Sequence, residues 1–131
     1  MKRSSIVAAM AFLLGVGGIA HAAQIVSPPL PTATGTSGAC YFRNVGTSPI
    51  SVQVDTLENF SSGFVSPSFQ NCNQAPLPGG RTCVVLVSDL PDDTTFACSA
   101  IVSSTTNLRG NAEVRQITSS GFRVVVSAEL R

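Results

Sequence analysis

Ile50-Ser51-Val52-Gln53-Val54-Asp55 alternates apolar and polar side chains without a break. A period of two puts Ile50, Val52 and Val54 on one face of an extended chain and the polar residues on the other, as in a half-buried strand. The same reading extends to both sides. Upstream, Ala39 to Val45 is a strand that ends in the turn chemistry of Asn44-Val45-Gly46-Thr47-Ser48-Pro49. Downstream, Gly63 to Phe69 is a weaker strand, set at an edge because Pro67 interrupts it. Thr82 to Val87 is a continuous β-branched run, and Ser88 to Asp93 is a turn. Thr95 to Val102 places Phe96, Cys98, Ala100 and Val102 on one face. Ala112 to Thr118 and Phe122 to Leu130 form a closing hairpin around Ser119-Ser120-Gly121. No stripe of helical period occurs in this part of the chain. The expectation is an all-β fold, an antiparallel two-sheet sandwich of about seven strands.

The N-terminus reads differently. Met1-Lys2-Arg3 is basic, Ile6 to Ala20 carries no charge, and Ala20-His21-Ala22 ends in small residues. This is the plan of a secretory signal peptide, assigned to residues 1–23. The apolar run falls short of the roughly 20 residues a bilayer demands, and Gly15, Gly17 and Gly18 break it. Residues 24–38 follow as an extended arm rich in Pro, Thr and Gly, with Ile25-Val26 suited to a short edge strand. Residues 39–131 are the sandwich domain. The product is expected to be secreted or periplasmic, with no membrane span once the leader is removed.

Cleavage would take with it the single His, the single Lys and both Met of the 131-residue chain. Six arginines would then face seven carboxylates, a formal charge of −1. A protein held by phosphate contacts along nucleic acid needs a basic surplus, so nucleic acid is not an expected partner. The Ser-His, Cys-His and Ser-Lys pairs of nucleophilic catalysis cannot be assembled without imidazole or amine. No G-x-S-x-G and no phosphate-binding G-x-x-x-x-G-K-[ST] occurs. An enzyme is not expected, nor a cofactor; a carboxylate-based hydrolase is the one catalytic alternative the residues leave open.

Cys40, Cys72, Cys83 and Cys98 are an even set, which an oxidising compartment would join in two disulfides. Their gaps of 31, 10 and 14 residues contain no C-x2-4-C pair, which argues against zinc. Four cysteines allow three connectivities, and spacing does not choose between them. The segment Pro76-Leu77-Pro78-Gly79-Gly80 must turn, which favours a nested pairing: Cys72 with Cys83, inside Cys40 with Cys98 as a pin between sheets.

Cys40-Tyr41-Phe42-Arg43-Asn44-Val45-Gly46 and then Ser48-Pro49-Ile50-Ser51-Val52 resemble the early strands of Ig-like sandwich domains of the hydin-associated, bacterial surface type. Pro78-Gly79-Gly80-Arg81-Thr82-Cys83 followed by Val84-Val85-Leu86-Val87 is similar to their middle turn and strand. The likeness covers about half of residues 24–131 and extends to small exported bacterial proteins of unassigned activity. It implies an Ig-like fold, although the Trp that marks true Ig cores is missing. Fold alone does not give function.

Recognition is therefore expected on loops 61–71, 89–94 and 103–111. Phe60, Phe64 and Phe69 are the candidates for an exposed apolar contact, and Arg109 and Asn111 for a polar one. Asp89, Asp92 and Asp93 are weak candidates for calcium and read more simply as turn formers beside Pro91. Glu113 and Arg115 share a strand face and should form an exposed ion pair. The functional expectation is a small disulfide-stapled sandwich that binds a protein or cell-envelope component, or serves as a structural element there. The alternative is a surface subunit that assembles through an open strand edge at Phe122 to Ser127.

Overall fold

The computed structural model describes residues 22–59 and 63–131. The expected leader lies outside them apart from Ala22 and Ala23. Ten strands occur among the described residues: β1 (Ala23–Val26), β2 (Leu30–Pro31), β3 (Thr36–Asn44), β4 (Val52–Asn59), β5 (Gly63–Phe64), β6 (Phe69–Gln70), β7 (Thr82–Leu90), β8 (Thr95–Val102), β9 (Leu108–Thr118) and β10 (Gly121–Leu130). All pairings are antiparallel. In sheet I, β1 and β2 follow one another along one flank of β8, while β4 and then β5 lie on the other. Sheet II runs β10-β9-β3-β7-β6.

The strand count exceeds the expected seven because prolines divide what would otherwise be single strands. Pro28 and Pro29 have no N–H to give a ladder, so pairing along β8 stops between β1 and β2. Ser27 spans the gap: its N–H donates to the Cys98 carbonyl at 2.9 Å, and its Oγ accepts from the Cys98 N–H at 3.0 Å. Pro67 divides the weak strand at 63–69 more drastically. Its first half, β5, is the edge of sheet I, and its second, β6, is the edge of sheet II.

Residues 24–38 are extended but do not form an arm apart from the domain. Ile25 and Leu30 are buried in the core, and β3 begins at Thr36 rather than Ala39. The core lies between the sheets, with Phe42, Val85, Val87 and Val114 from sheet II meeting Phe96, Ala100 and Val102 from sheet I. Gly38 of β3 lies directly against the Phe96 ring of β8. A Cβ there would lie 2.5 Å from Cζ of Phe96, so glycine leaves the space the ring fills.

Cys40 is bonded to Cys98 and Cys72 to Cys83, the nested arrangement. The first bridge joins β3 to β8, an interior strand of each sheet, through the core. The second closes the loop before β7 and brings buried Leu77 against Ile50, with paired backbone bonds of 3.0 and 2.7 Å. Asn44 is fully buried and links three segments. Its Nδ2 donates to the carbonyls of Ser48 (2.8 Å) and Leu77 (2.9 Å), and its Oδ1 accepts from the Gly46 N–H (2.9 Å). At the far end of the chain, Val26 and Arg131 exchange backbone hydrogen bonds of 2.9 and 3.2 Å, clipping the end of sheet II to the β1 flank of sheet I.

Candidate interaction surface

The period-two pattern of β9 continues past its partner β3. Gln116 faces Thr36, the first residue of β3, and Ile117 and Thr118 extend beyond it. The hairpin closes tightly, with Thr118 paired to Gly121 across Ser119-Ser120. Gly121 has φ of 135°, a left-handed value that a residue with a Cβ rarely adopts. The tip of the β9–β10 ribbon, Ile117 to Phe122, therefore extends beyond the end of β3. Apolar side chains of the ribbon remain in solvent: Ile117 is 69% exposed, Phe122 60% and Val125 53%, with Val124 beside them. Ile117 and Phe122 are direct cross-strand partners. A register shift between Val124 and Val126 leaves Val125 as the extra residue of a bulge.

The far flank of β10 is an open edge. Among the described residues it pairs with β9 alone, and from Gly121 to Ser127 its outward backbone groups have no ladder partner. Beside this edge lies the outer face of sheet II, where the register aligns Phe69, Leu86, Ala39, Glu113 and Ser127 in one row. On it, Arg115 is stacked between two rings, its guanidinium carbon 4.8 Å from the Tyr41 centroid and 4.1 Å from that of Phe122. Its Nε and Nη2 both donate to Oε2 of Glu113 at 3.0 Å, and Asn111 Nδ2 donates to Oε1 at 2.9 Å. This ion pair is not exposed as expected: the Arg115 and Glu113 side chains keep 12% and 17% of their accessibility. The flanking aromatics account for that, and the loss of water lowers the pKa of Arg115 from its ordinary value.

The expected site residues are distributed unevenly. Arg109 and Asn111 stand in β9 rather than a loop, because pairing with Arg43 and Tyr41 of β3 extends the strand back to Leu108. The loop is limited to residues 103–107. Phe69 is exposed on β6 and shares the outer face of sheet II with both. Phe64 belongs to β5 in the other sheet, and Phe60 lies outside the described residues. Phe122, at the start of the expected open edge, is the most exposed phenylalanine among those whose exposure is described. Asp89 and Asp93 take positive φ values of 55° and 52°, and Asp92 Oδ1 accepts from the Asp93 N–H at 3.1 Å. Such local bonds shape a turn. Among the described residues no group of three or more His, Cys, Asp or Glu could hold a metal ion. No described helix is long and apolar enough to cross a membrane.

Shallow clefts, one between β1 and the end of the β9–β10 ribbon and another beside the Cys72 loop, are lined by Arg, Glu, Gln and Asn side chains among apolar ones. No family model matches the chain, and neither a curated protein nor a solved structure matches it.

Proposed function

We propose that the chain is an exported, non-catalytic binding or structural protein of the cell envelope, and that it makes its contacts through the β9–β10 ribbon. The observation that carries this is the solvent-facing set Ile117, Phe122, Val124 and Val125 beside an unpaired strand edge. Apolar residues clustered along an open edge are the features by which a sheet accepts another strand, with backbone bonds giving affinity and side chains giving selectivity. Two further points support a role without turnover. The Asp92 carboxylate bonds the Asp93 N–H within a turn, and the Glu113 carboxylate is held by Arg115 and Asn111. The leader read at 1–23 and the two disulfides fit an oxidising destination.

The Ig-like character of the sandwich belongs to the same proposal. It is supported by a disulfide that joins interior strands of the two facing sheets, as the B–F disulfide joins the sheets of antibody domains.

A photo-crosslinking residue placed at Phe122, compared with one at Gln53, exposed on β4 of the other sheet, tests the contact in the native envelope. Adducts of defined mass from position 122 alone are expected; equal yield from both positions, or none from 122, would contradict the reading. The open edge also favours self-assembly as a second reading. In that case the adduct has twice the mass of the chain, and sedimentation shows concentration-dependent association that Val125→Pro abolishes.

A further inference from the structure

The register of sheet II sets Arg43 of β3 directly opposite Arg109 of β9. Cross-strand partners share a face with Cβ atoms about 4.5–5.5 Å apart, where like charges repel. On the other side of Arg109, the β9–β10 ladder ends with Leu130 against Gly110, so Arg131 comes next in line; Arg109 and Arg131 also line one cleft. Arg43 faces Thr82 of β7, and Arg81 immediately precedes it. Four of the six arginines outside the leader thus cross four neighbouring strands at one end of sheet II, and all are exposed. At ordinary strand spacing the row is about 15 Å long.

Counter-charge in the row is thin. Among the described residues its one ion pair is Arg131 with Glu129, at 4.0 Å with side chains 89% and 79% exposed. Asp89, Asp92 and Asp93 lie at the other end of the sheet, where Leu90 pairs with Thr36. The repulsion built into the Arg43–Arg109 register would be relieved by an external anion.

We propose that this row binds a linear polyanion lying across the strands, with successive phosphates or carboxylates seated on Arg43, Arg109 and Arg131. Charge arranged in a line, rather than spread over a disc, favours a polymer chain over a flat lipid surface. The inference rests on the non-catalytic binding reading but uses the end of sheet II opposite the hairpin tip, so its failure leaves the strand-edge contact standing.

The test is titration of the full chain with inorganic polyphosphate and, separately, polyglutamate at several salt concentrations. Binding to at least one is expected, and which polymer binds assigns phosphate or carboxylate as the ligand group. Arg43→Gln with Arg109→Gln should weaken binding at least tenfold at low salt and reduce the slope of log K against log salt by about two. Arg43→Lys with Arg109→Lys should keep most of that slope, and Arg123→Gln, on the hairpin, should bind within twofold of the parent. The thermal midpoint of the Gln pair should equal or exceed the parent's, which separates lost binding from lost folding. Failure of both polymers to bind, unchanged binding by the Gln pair, or tighter binding of anionic phospholipid vesicles through the same arginines would overturn the proposal.

Discussion

Asn44 shows how one polar side chain can decide a local structure. Its amide reaches the Ser48 and Leu77 carbonyls and the Gly46 N–H, tying β3, the turn after it and the Cys72–Cys83 loop together with no contact to water. Asn44→Ala should cost roughly 3 kcal/mol, read as a lower midpoint in denaturant, because it removes three hydrogen bonds made by one buried side chain. Gly38 makes the opposite point, since what matters there is an absence. Gly38→Ala forces a Cβ into the Phe96 ring and should cost about 1–3 kcal/mol by the same measurement. Neither role was legible in the sequence. Asn44 read as a turn former and Gly38 as the end of an extended arm, because burial of one and crowding of the other come from strands distant in the chain. Cys40 and Cys98 were more legible, since the even count and the turn between Cys72 and Cys83 both bear on pairing.

At the scale of elements, the residue pattern locates β8 at both ends, Thr95 and Val102, but β7, β9 and β10 at one end only. β9 begins at Leu108 because β3 supplies partners back to Asn44, and no local signal in Leu108-Arg109-Gly110-Asn111 announces that pairing. The division of residues 63–69 between two sheets is similar: Pro67 marks a break, but the destination of each half depends on which edge is vacant. The β9–β10 ribbon is legible as a hairpin from its turn, and the β-rich run Phe122 to Ser127 as an edge, whereas the exposure of Ile117 depends on where β3 begins. Arg115 links this ribbon to the rest of sheet II by stacking between Tyr41 and Phe122. Phe122→Ala should therefore cost about 1 kcal/mol and loosen the hairpin, seen as faster hydrogen exchange confined to β9 and β10. Phe122→Leu should retain much of the apolar contact and lose the stacking.

For the whole molecule, the two disulfides differ in what they constrain. Cys40–Cys98 closes a separation of 58 residues and Cys72–Cys83 one of 11. A chain-entropy argument gives about 4 kcal/mol for the first and about 3 kcal/mol for the second. Replacing Cys40 and Cys98 by Ala should lower the thermal midpoint more than replacing Cys72 and Cys83, the more so because the first bridge crosses the core between interior strands. The sheets also divide the work. Both sheets and the bridges hold the core, while sheet II alone carries the open edge of β10 and, at the end away from the hairpin tip, the arginine row. Its pairing partners account for the position of Arg109 and Asn111, and its unpaired flank accounts for the function proposed.

Hydrogen exchange of the chain, alone and mixed with envelope extract, tests that division most directly. Amides of β3 and β8 should be protected in both samples, and those of Gly121 to Ser127 should be fast in the isolated chain and slow in the mixture. Exchange in β10 that is unchanged by the extract, or new protection confined to sheet I, would contradict the account.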